Sequence, residues 1–274
     1  MARIFITGST DGLGRAAARS LIDGGHHVVL HARNKDRTSA VRDFLSEGAD
    51  VVVGDLRSAK ETRSVADQVN ALGRMDAVIH NAGIYTTRER GSTPEGHATT
   101  LAVNTLAPYI LTALIEPPDR LVFLSSGLHR SGEGSLRDID WTQRPWDPAK
   151  AYAESKLHVV ALASALARRW PSVLSNAVDP GWVRTKMGGT SAPVDLETGA
   201  RTQSWLAVNE EPATHISGRY WHHQRQDTPA SEAIDPVFQD QLLASLMKMT
   251  GIALPETVSR AMCSGERTRS IPSR

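Results

Sequence analysis

The chain has 274 residues, 40% of them hydrophobic and 22% charged, which excludes disordered, collagen-like and membrane-embedded classes and predicts a soluble globular protein. Its 31 basic and 30 acidic residues leave a formal charge of +1, so no broad field gathers nucleic acid or an anionic membrane, and small molecules are the expected partners. Cys263 is the one cysteine, which excludes an intrachain disulfide and a thiolate-built zinc site and fits a reducing, cytoplasmic setting.

In chain order, short apolar runs rich in β-branched residues alternate with segments of helical periodicity, the pattern of βαβ units around a parallel sheet. Strands are expected at Arg3 to Thr7, His27 to His31, Asp50 to Val53, Ala77 to His80, Leu121 to Leu124 and Val173 to Val178, with a seventh at Arg219 to His222. The expected fold is a single Rossmann-type, doubly wound parallel sheet of about seven strands, with helices on both faces. Met1 to Thr7 runs straight into the first strand without the succession of a signal peptide, and the apolar stretch from Val159 to Ala167 is too short to span a membrane.

The clearest helix is Ala149 to Trp170, closed by Pro171, which lacks the amide proton a helix needs. Two stretches, 127–148 and 184–218, are longer than ordinary connections and are expected to form substrate loops and a small lid in the C-terminal third. His129, Trp141 and Trp146 in the first, and Met187 and Trp205 in the second, suit either a lid over an apolar substrate or anchors that pin the loops to the domain; His129 reads as a loop histidine and not as a second base. One catalytic domain is expected over residues 1–264, with a basic, Ser-rich disordered tail over 265–274.

The first strand leads into Thr7-Gly8-Ser9-Thr10-Asp11-Gly12-Leu13-Gly14 and then a helix beginning at Arg15. Glycines let the backbone turn sharply and approach a pyrophosphate, whose charge meets the free amides of the helix start. A ligand-free βα turn is the plainer alternative, but this one opens the first βαβ unit. The second strand ends in His31-Ala32-Arg33-Asn34-Lys35, with no carboxylate to bind a ribose 2′-hydroxyl. Arg33 suits a charge-assisted contact with a 2′-phosphate and Arg15 offers a second cation, so NADP(H) is expected over NAD(H); solvated surface charge is the alternative for both arginines.

Tyr152-Ala153-Glu154-Ser155-Lys156 opens the long helix, where positions four apart share a face. A cation beside a phenol favours the phenolate and would bring a tyrosine of pKa ~10 toward the working range. The spacing alone carries little weight, since it recurs by chance on helix surfaces. It gains weight from Ser125-Ser126 at the end of the fifth strand, where open α/β folds bind ligands, and from Asn81-Ala82-Gly83 at the end of the fourth. Asn104 stands in an apolar run, either as part of the same site or as a satisfied core residue.

Together the glycine turn at Thr7 to Gly14, the Asn81–Gly83 triplet, Asn104, the serine pair and the Tyr152/Lys156 pair resemble the short-chain dehydrogenase/reductase family over nearly the whole chain. The long separation of serine and tyrosine, with the late Ser217-Gly218-Arg219-Tyr220-Trp221 stretch, is similar to the retinol-dehydrogenase-like and protochlorophyllide-reductase-like branch. The resemblance implies hydride transfer between NADP(H) and a carbonyl or alcohol, with Tyr152 as acid/base. It implies that Lys156 tunes Tyr152 and binds the nicotinamide ribose, that Ser126 (Ser125 being the alternative) steadies the substrate oxygen, and that Asn104 holds a relay water. Cofactor contacts are implied for Gly8, Ser9, Thr10, Gly12, Leu13, Gly14, Arg15, Arg33, Asp55, Leu56, Asn81, Ala82, Gly83, Pro180, Gly181, Val183 and Thr185, besides Tyr152 and Lys156. No metal is implied. The resemblance is compatible with a homo-oligomer. A non-catalytic NADP(H) sensor and, below it, a nucleotide-sugar epimerase or dehydratase are the competing readings.

Overall fold

The computed structural model describes residues 1–85, 88–256 and 258; the expected tail and Cys263 lie outside the described residues. The strands, in chain order, are β1 (Arg3–Ile6), β2 (His27–Ala32), β3 (Asp50–Val53), β4 (Ala77–His80), β5 (Arg120–Leu124), β6 (Leu174–Asp179), β7 (Tyr220–His222) and β8 (Arg225–Asp227). They form one eight-stranded sheet in the order β3-β2-β1-β4-β5-β6-β7-β8, parallel except for the last pair. The eighth strand is absent from the expectation because Arg225, Gln226 and Asp227 are all exposed and carry no apolar alternation.

The helices are α1 (Gly12–Asp23), α2 (Arg42–Ser46), α3 (Ala59–Ala71), α4 (Thr99–Leu101), α5 (Ala107–Leu114), α6 (Pro148–Arg169), α7 (Leu196–Val208), α8 (Ser231–Ile234) and α9 (Pro236–Thr250). One core cluster joins β1–β6 to α3, α5, α6 and α9, and a second packs the other sheet face against α1 and α7. Burial on both faces explains why β1, β2, β4 and β5 read as continuous apolar runs. The strand order reverses between β1 and β4, and ligands of such sheets sit outside the carboxyl ends of the strands at that point.

The longest helix, α6, begins where Asp147 accepts from the amides of Ala149 and Lys150, both at 3.0 Å, with Pro148 in the first position, whose missing N–H costs nothing there. It ends with Arg168 and Arg169, cations placed against the negative end of the helix dipole. Within the stretch 184–218, expected as a long loop, lies α7. Its Thr, Gln, Ser and Gly residues carry only a weak apolar pattern, and at Gly199 the packing requires the smallest side chain. At Gly199 a Cβ would stand 2.6 Å from Val183 Cγ2 and 2.9 Å from Leu13 Cδ2, so α7 packs closely on α1 and on the strand-end segment after β6. Among the described residues no helix is long and apolar enough to cross a membrane.

Candidate active site

The turn after β1 is held open by its neighbours. Gly8 (φ +64°) and Gly12 (φ +51°) adopt left-handed backbone that favours glycine, and a Cβ on Gly14 would lie 2.5 Å from both Gly8 O and Asn81 Nδ2. Asn81 Nδ2 donates to Thr7 O at 2.9 Å, and Ala82 N donates to Thr7 Oγ1 at 2.9 Å, so the end of β4 is stitched to the turn. Buried Ser9 donates to Ile6 O at 3.0 Å and accepts from His31 N at 2.8 Å, bracing the turn from beneath. His31 does the same from β2: Nδ1 accepts from Gly8 N at 3.0 Å and Nε2 donates to Gly54 O at 2.8 Å. Burial lowers its pKa, so the neutral ring with this tautomer links three strand ends.

A cavity of about 330 Å³ opens over this turn, lined by Gly8, Thr10, Gly12, Leu13, Arg33, Asp55, Leu56, Asn81, Ala82, Gly83 and Thr185 among the expected cofactor contacts. His31, Arg57 and Lys186, which the sequence reading did not include, also line it. Arg57 grips Asp55 (2.6 Å), and Lys186 Nζ lies 2.5 Å from Asp11, tying the segment after β6 to the glycine turn. The structure does not bring Arg15 to the cavity. Its guanidinium pairs with Asp43 at 2.8 Å and stacks over Phe44, the surface alternative held open for it. Arg37 stands beside the turn as well as Lys186, 3.4 Å from Thr10 Oγ1 and Asp11 Oδ2.

A second cavity of about 560 Å³ shares Leu13, Asn81, Gly83, Thr185 and Met187 with the first, so the two form one continuous cleft. Its walls hold Ser126, Tyr152, Lys156, Asp179, Pro180, Gly181 and Val183, with Tyr85, Leu128, Trp182 and Met187 as exposed hydrophobic residues along it. Tyr152 meets Tyr85 edge-on at 5.1 Å between ring centroids. Burial pushes the Tyr152 phenol up to about 12, while the Ser126 hydroxyl, hydrogen-bonded to it, pulls the other way. The lowering expected from Lys156 is not among the influences on that phenol: desolvation dominates, and the ammonium lies 5.6 Å from the ring centroid.

The serine pair divides. Both serines line the cleft, but Ser125 is buried with its hydroxyl committed to Lys156 O at 3.0 Å, so it braces α6, whereas the Ser126 hydroxyl reaches the Tyr152 phenol. Fully buried Lys156 donates from Nζ to Leu124 O at 2.8 Å, and desolvation brings its pKa down to about 8. Gly83 makes room for it, since a Cβ there would stand 3.2 Å from Nζ. Asn104 sits in a single π turn (Ala102–Leu106) between α4 and α5. Its Oδ1 accepts from Ile84 N at 2.8 Å, and its Nδ2 donates to Ile84 O at 2.9 Å and to Ser155 Oγ at 3.0 Å. Such a local widening of a helix is frequent at functional sites and here turns the amide toward α6 and the strand-end backbone.

His129 is buried, with Nδ1 donating to Ser126 O at 2.7 Å and Nε2 accepting from Ala230 N at 3.0 Å. Both nitrogens are engaged, so the ring anchors the serine loop and is no free base. Trp141 and Trp146 also act as anchors: Trp141 Nε1 donates to Glu154 Oε2 at 3.0 Å, Arg144 stacks 3.5 Å over the Trp141 ring, and Trp146 packs on the core. Neither tryptophan lines the cleft. Trp205 packs on Trp221 beneath the second sheet face and likewise stays out of it.

Comparison with known proteins settles the family. The family model for short chain dehydrogenases matches residues 2–194. The chain belongs to the short-chain dehydrogenase/reductase family. It is 42% identical to the short-chain dehydrogenase chry4 of Gibberella zeae over 93% of this chain and 99% of that one. Human retinol dehydrogenase 13 is 29% identical over 92% of this chain and 85% of its own, in line with the retinol-dehydrogenase-like side of the resemblance. Among solved structures, an uncharacterized protein from Mycobacterium paratuberculosis superposes with a TM-score of 0.81 at 26% identity, covering 93% of this chain and 95% of that one. The protein is therefore an oxidoreductase of a nicotinamide-using family that acts on small molecules.

Proposed function

We propose that this oxidoreductase reduces a carbonyl, or oxidises the corresponding alcohol, with NADP(H), and that residues 1–264 form one catalytic domain. The observation that carries the reading is the convergence of Ser126, Tyr152 and Lys156 on one wall of a cleft that runs into the glycine turn. The residues fit the cofactor. The glycine cradle has no room for side chains at Gly8 and Gly14, and Arg33, with no carboxylate beside it on β2, lines the end of the cleft where a 2′-phosphate would need a cation. Gly12, Leu13, Asn81, Gly83, Pro180, Gly181, Val183 and Thr185 would hold the rest of the dinucleotide, and Lys156 its nicotinamide ribose. When bound, the cofactor supplies the hydride.

Chain residues supply the remainder. Ser126 and Tyr152 hydrogen-bond the substrate oxygen, and as the carbonyl carbon gains the hydride the oxygen takes the phenolic proton of Tyr152, giving the alcohol. A phenol raised to about 12 is protonated at neutral pH and so stands ready as the donor. Lys156, charged below about 8, offsets the negative charge left on Tyr152. Asn104 acts here as a positioning residue that ties Ile84 to Ser155. Tyr85, Leu128, Trp182 and Met187 favour an apolar substrate, and the segment from Thr185 to Met187, latched to Asp11 through Lys186, serves as the lid.

The test is Tyr152→Phe, assayed by NADPH oxidation across a ketone and aldehyde panel and by NADPH titration. Turnover should fall about 100- to 10,000-fold, the range of general acid catalysis, with NADPH affinity kept within a few-fold. Loss of binding with unchanged turnover per bound cofactor would overturn the role given to Tyr152. Tight NADPH binding by the unaltered protein with no turnover of any panel member would favour a cofactor sensor.

A further inference from the structure

One charged group in the cleft has no part in proton or hydride transfer. Asp179, the last residue of β6, is 8% exposed and lines the same cavity as Ser126 and Tyr152. Its Oδ1 accepts from Gly181 N at 2.9 Å. Its Oδ2 has His222 Nδ1 within ion-pair reach, at 3.5 Å; that nitrogen also lies 3.3 Å from the Asp179 backbone oxygen, and the buried Tyr220 phenol stands close enough to offer the carboxylate a hydrogen bond. Among the described residues no lysine or arginine pairs with Asp179. Lys156 is held on Leu124 O, and Arg130 is paired with Asp227. The carboxylate lies near enough to Tyr152 for its charge to oppose ionisation of the phenol.

We propose that Asp179 is a specificity-determining acceptor that hydrogen-bonds a hydroxyl group carried by the substrate close to the reacting carbonyl. The proposal rests on the carbonyl-reducing role assigned to this cleft. Ser126 and Tyr152 present donors, which match a carbonyl oxygen, and a carboxylate presents only acceptors, which match an O–H. An apolar substrate seated against Tyr85, Leu128, Trp182 and Met187 displaces water from Asp179. A substrate with no donor of its own then leaves the cleft-facing lone pairs of a charged acceptor without the hydrogen bonds water gave them, which is a strong means of rejecting an analogue. A hydroxyl meets the need without carrying a second charge into the apolar cleft, so it is chosen over an ammonium group.

Three ketones of similar shape separate the outcomes: α-hydroxyacetophenone, acetophenone and α-aminoacetophenone, each assayed with NADPH and titrated calorimetrically into the NADPH complex. The wild-type protein should prefer the hydroxyketone over acetophenone by about tenfold or more in kcat/KM, mainly through KM, the worth of one hydrogen bond to a charged acceptor. In Asp179→Asn the ratio should fall below about threefold. A wild-type ratio near one, or a ratio that survives in Asp179→Asn, overturns the proposal, and a preference for the aminoketone overturns the choice of hydroxyl. If no ketone is turned over, the carbonyl-reducing reading fails by itself. The calorimetric ratio then decides Asp179 alone: tighter hydroxyketone binding lost in the variant supports it, and equal binding overturns it. Should Asp179→Asn not fold, the wild-type ratio is the deciding measurement.

Discussion

Lys156→Met should make the protein more stable while removing its activity. The ammonium is fully buried, has Leu124 O as its one hydrogen-bond acceptor among the described residues, at 2.8 Å, and has its pKa brought down from 10.5 to about 8 by desolvation. That fall corresponds to roughly 3 kcal/mol by which the charged form is disfavoured on folding. The sign follows from proton counting. Between about 8 and 10.5 the unfolded chain keeps a proton that the folded protein has released, so wild-type stability gains from Lys156 as pH rises through this window, and the full penalty stands below about 8. Methionine of similar length removes the penalty but leaves Leu124 O without its donor, a cost of about 1 kcal/mol. The net gain at pH 7 is about 2 kcal/mol, which urea unfolding resolves, and it should shrink to nothing or reverse by pH 10. Turnover should be lost at every pH. A variant less stable than wild type at pH 7, or a stability gap that does not change with pH, would refute the reasoning.

Three further outcomes are expected. Gly14→Ala should destabilise the fold by about 2 kcal/mol, because the added carbon meets Gly8 backbone at 2.5 Å, and should weaken NADPH binding more than tenfold; a fluorescence titration beside a urea curve checks both. Arg33→Ala should raise the NADPH dissociation constant about 10- to 100-fold and leave NADH nearly unaffected, and an equal loss for both cofactors would contradict a 2′-phosphate contact. Glu154→Leu should cost about 2 kcal/mol in urea midpoint analysis, since it strips Arg144 and Trp141 Nε1 of their shared acceptor, although partial exposure of Arg144 keeps the loss below that of a fully buried pair.

What could be read in the chain and what could not divide along a physical line. Strands β1, β2, β4 and β5 were legible to within a residue at each end because burial on both faces demands apolar runs, and β3 and β6 as closely from the shorter apolar stretches they contain. The glycine turn was legible because left-handed backbone and close approach leave glycine little competition. β8 was hidden because it is an exposed edge strand whose hairpin turns on His223 and Gln224 in left-handed backbone, without the Gly or Asn that usually marks such a turn. α7 was hidden because close helix packing selects small residues and so erases the apolar pattern. Arg15 was misplaced for a third reason. Its partner Asp43 lies 28 residues away on α2, and local sequence cannot report which of two anions, a phosphate or a carboxylate, a surface arginine reaches.

The site itself shows why its residues were recognised together and not singly. Hydrogen bonds with main chain on one side hold much of its centre: Lys156 to Leu124 O on β5, Asn104 to Ile84 after β4, Ser126 O to the His129 ring in the loop that follows it, and the glycine turn to the His31 ring on β2. Such an arrangement fixes geometry with main-chain groups, which leaves the Lys156 ammonium, the Tyr152 phenol and the Asp179 carboxylate, besides the Tyr85 phenol, as the ionisable groups lining the part of the cleft where chemistry would occur. The first two account for hydride and proton movement at any ketone. The third has no such duty, so discrimination among ketones falls to it and to the hydrophobic wall opposite.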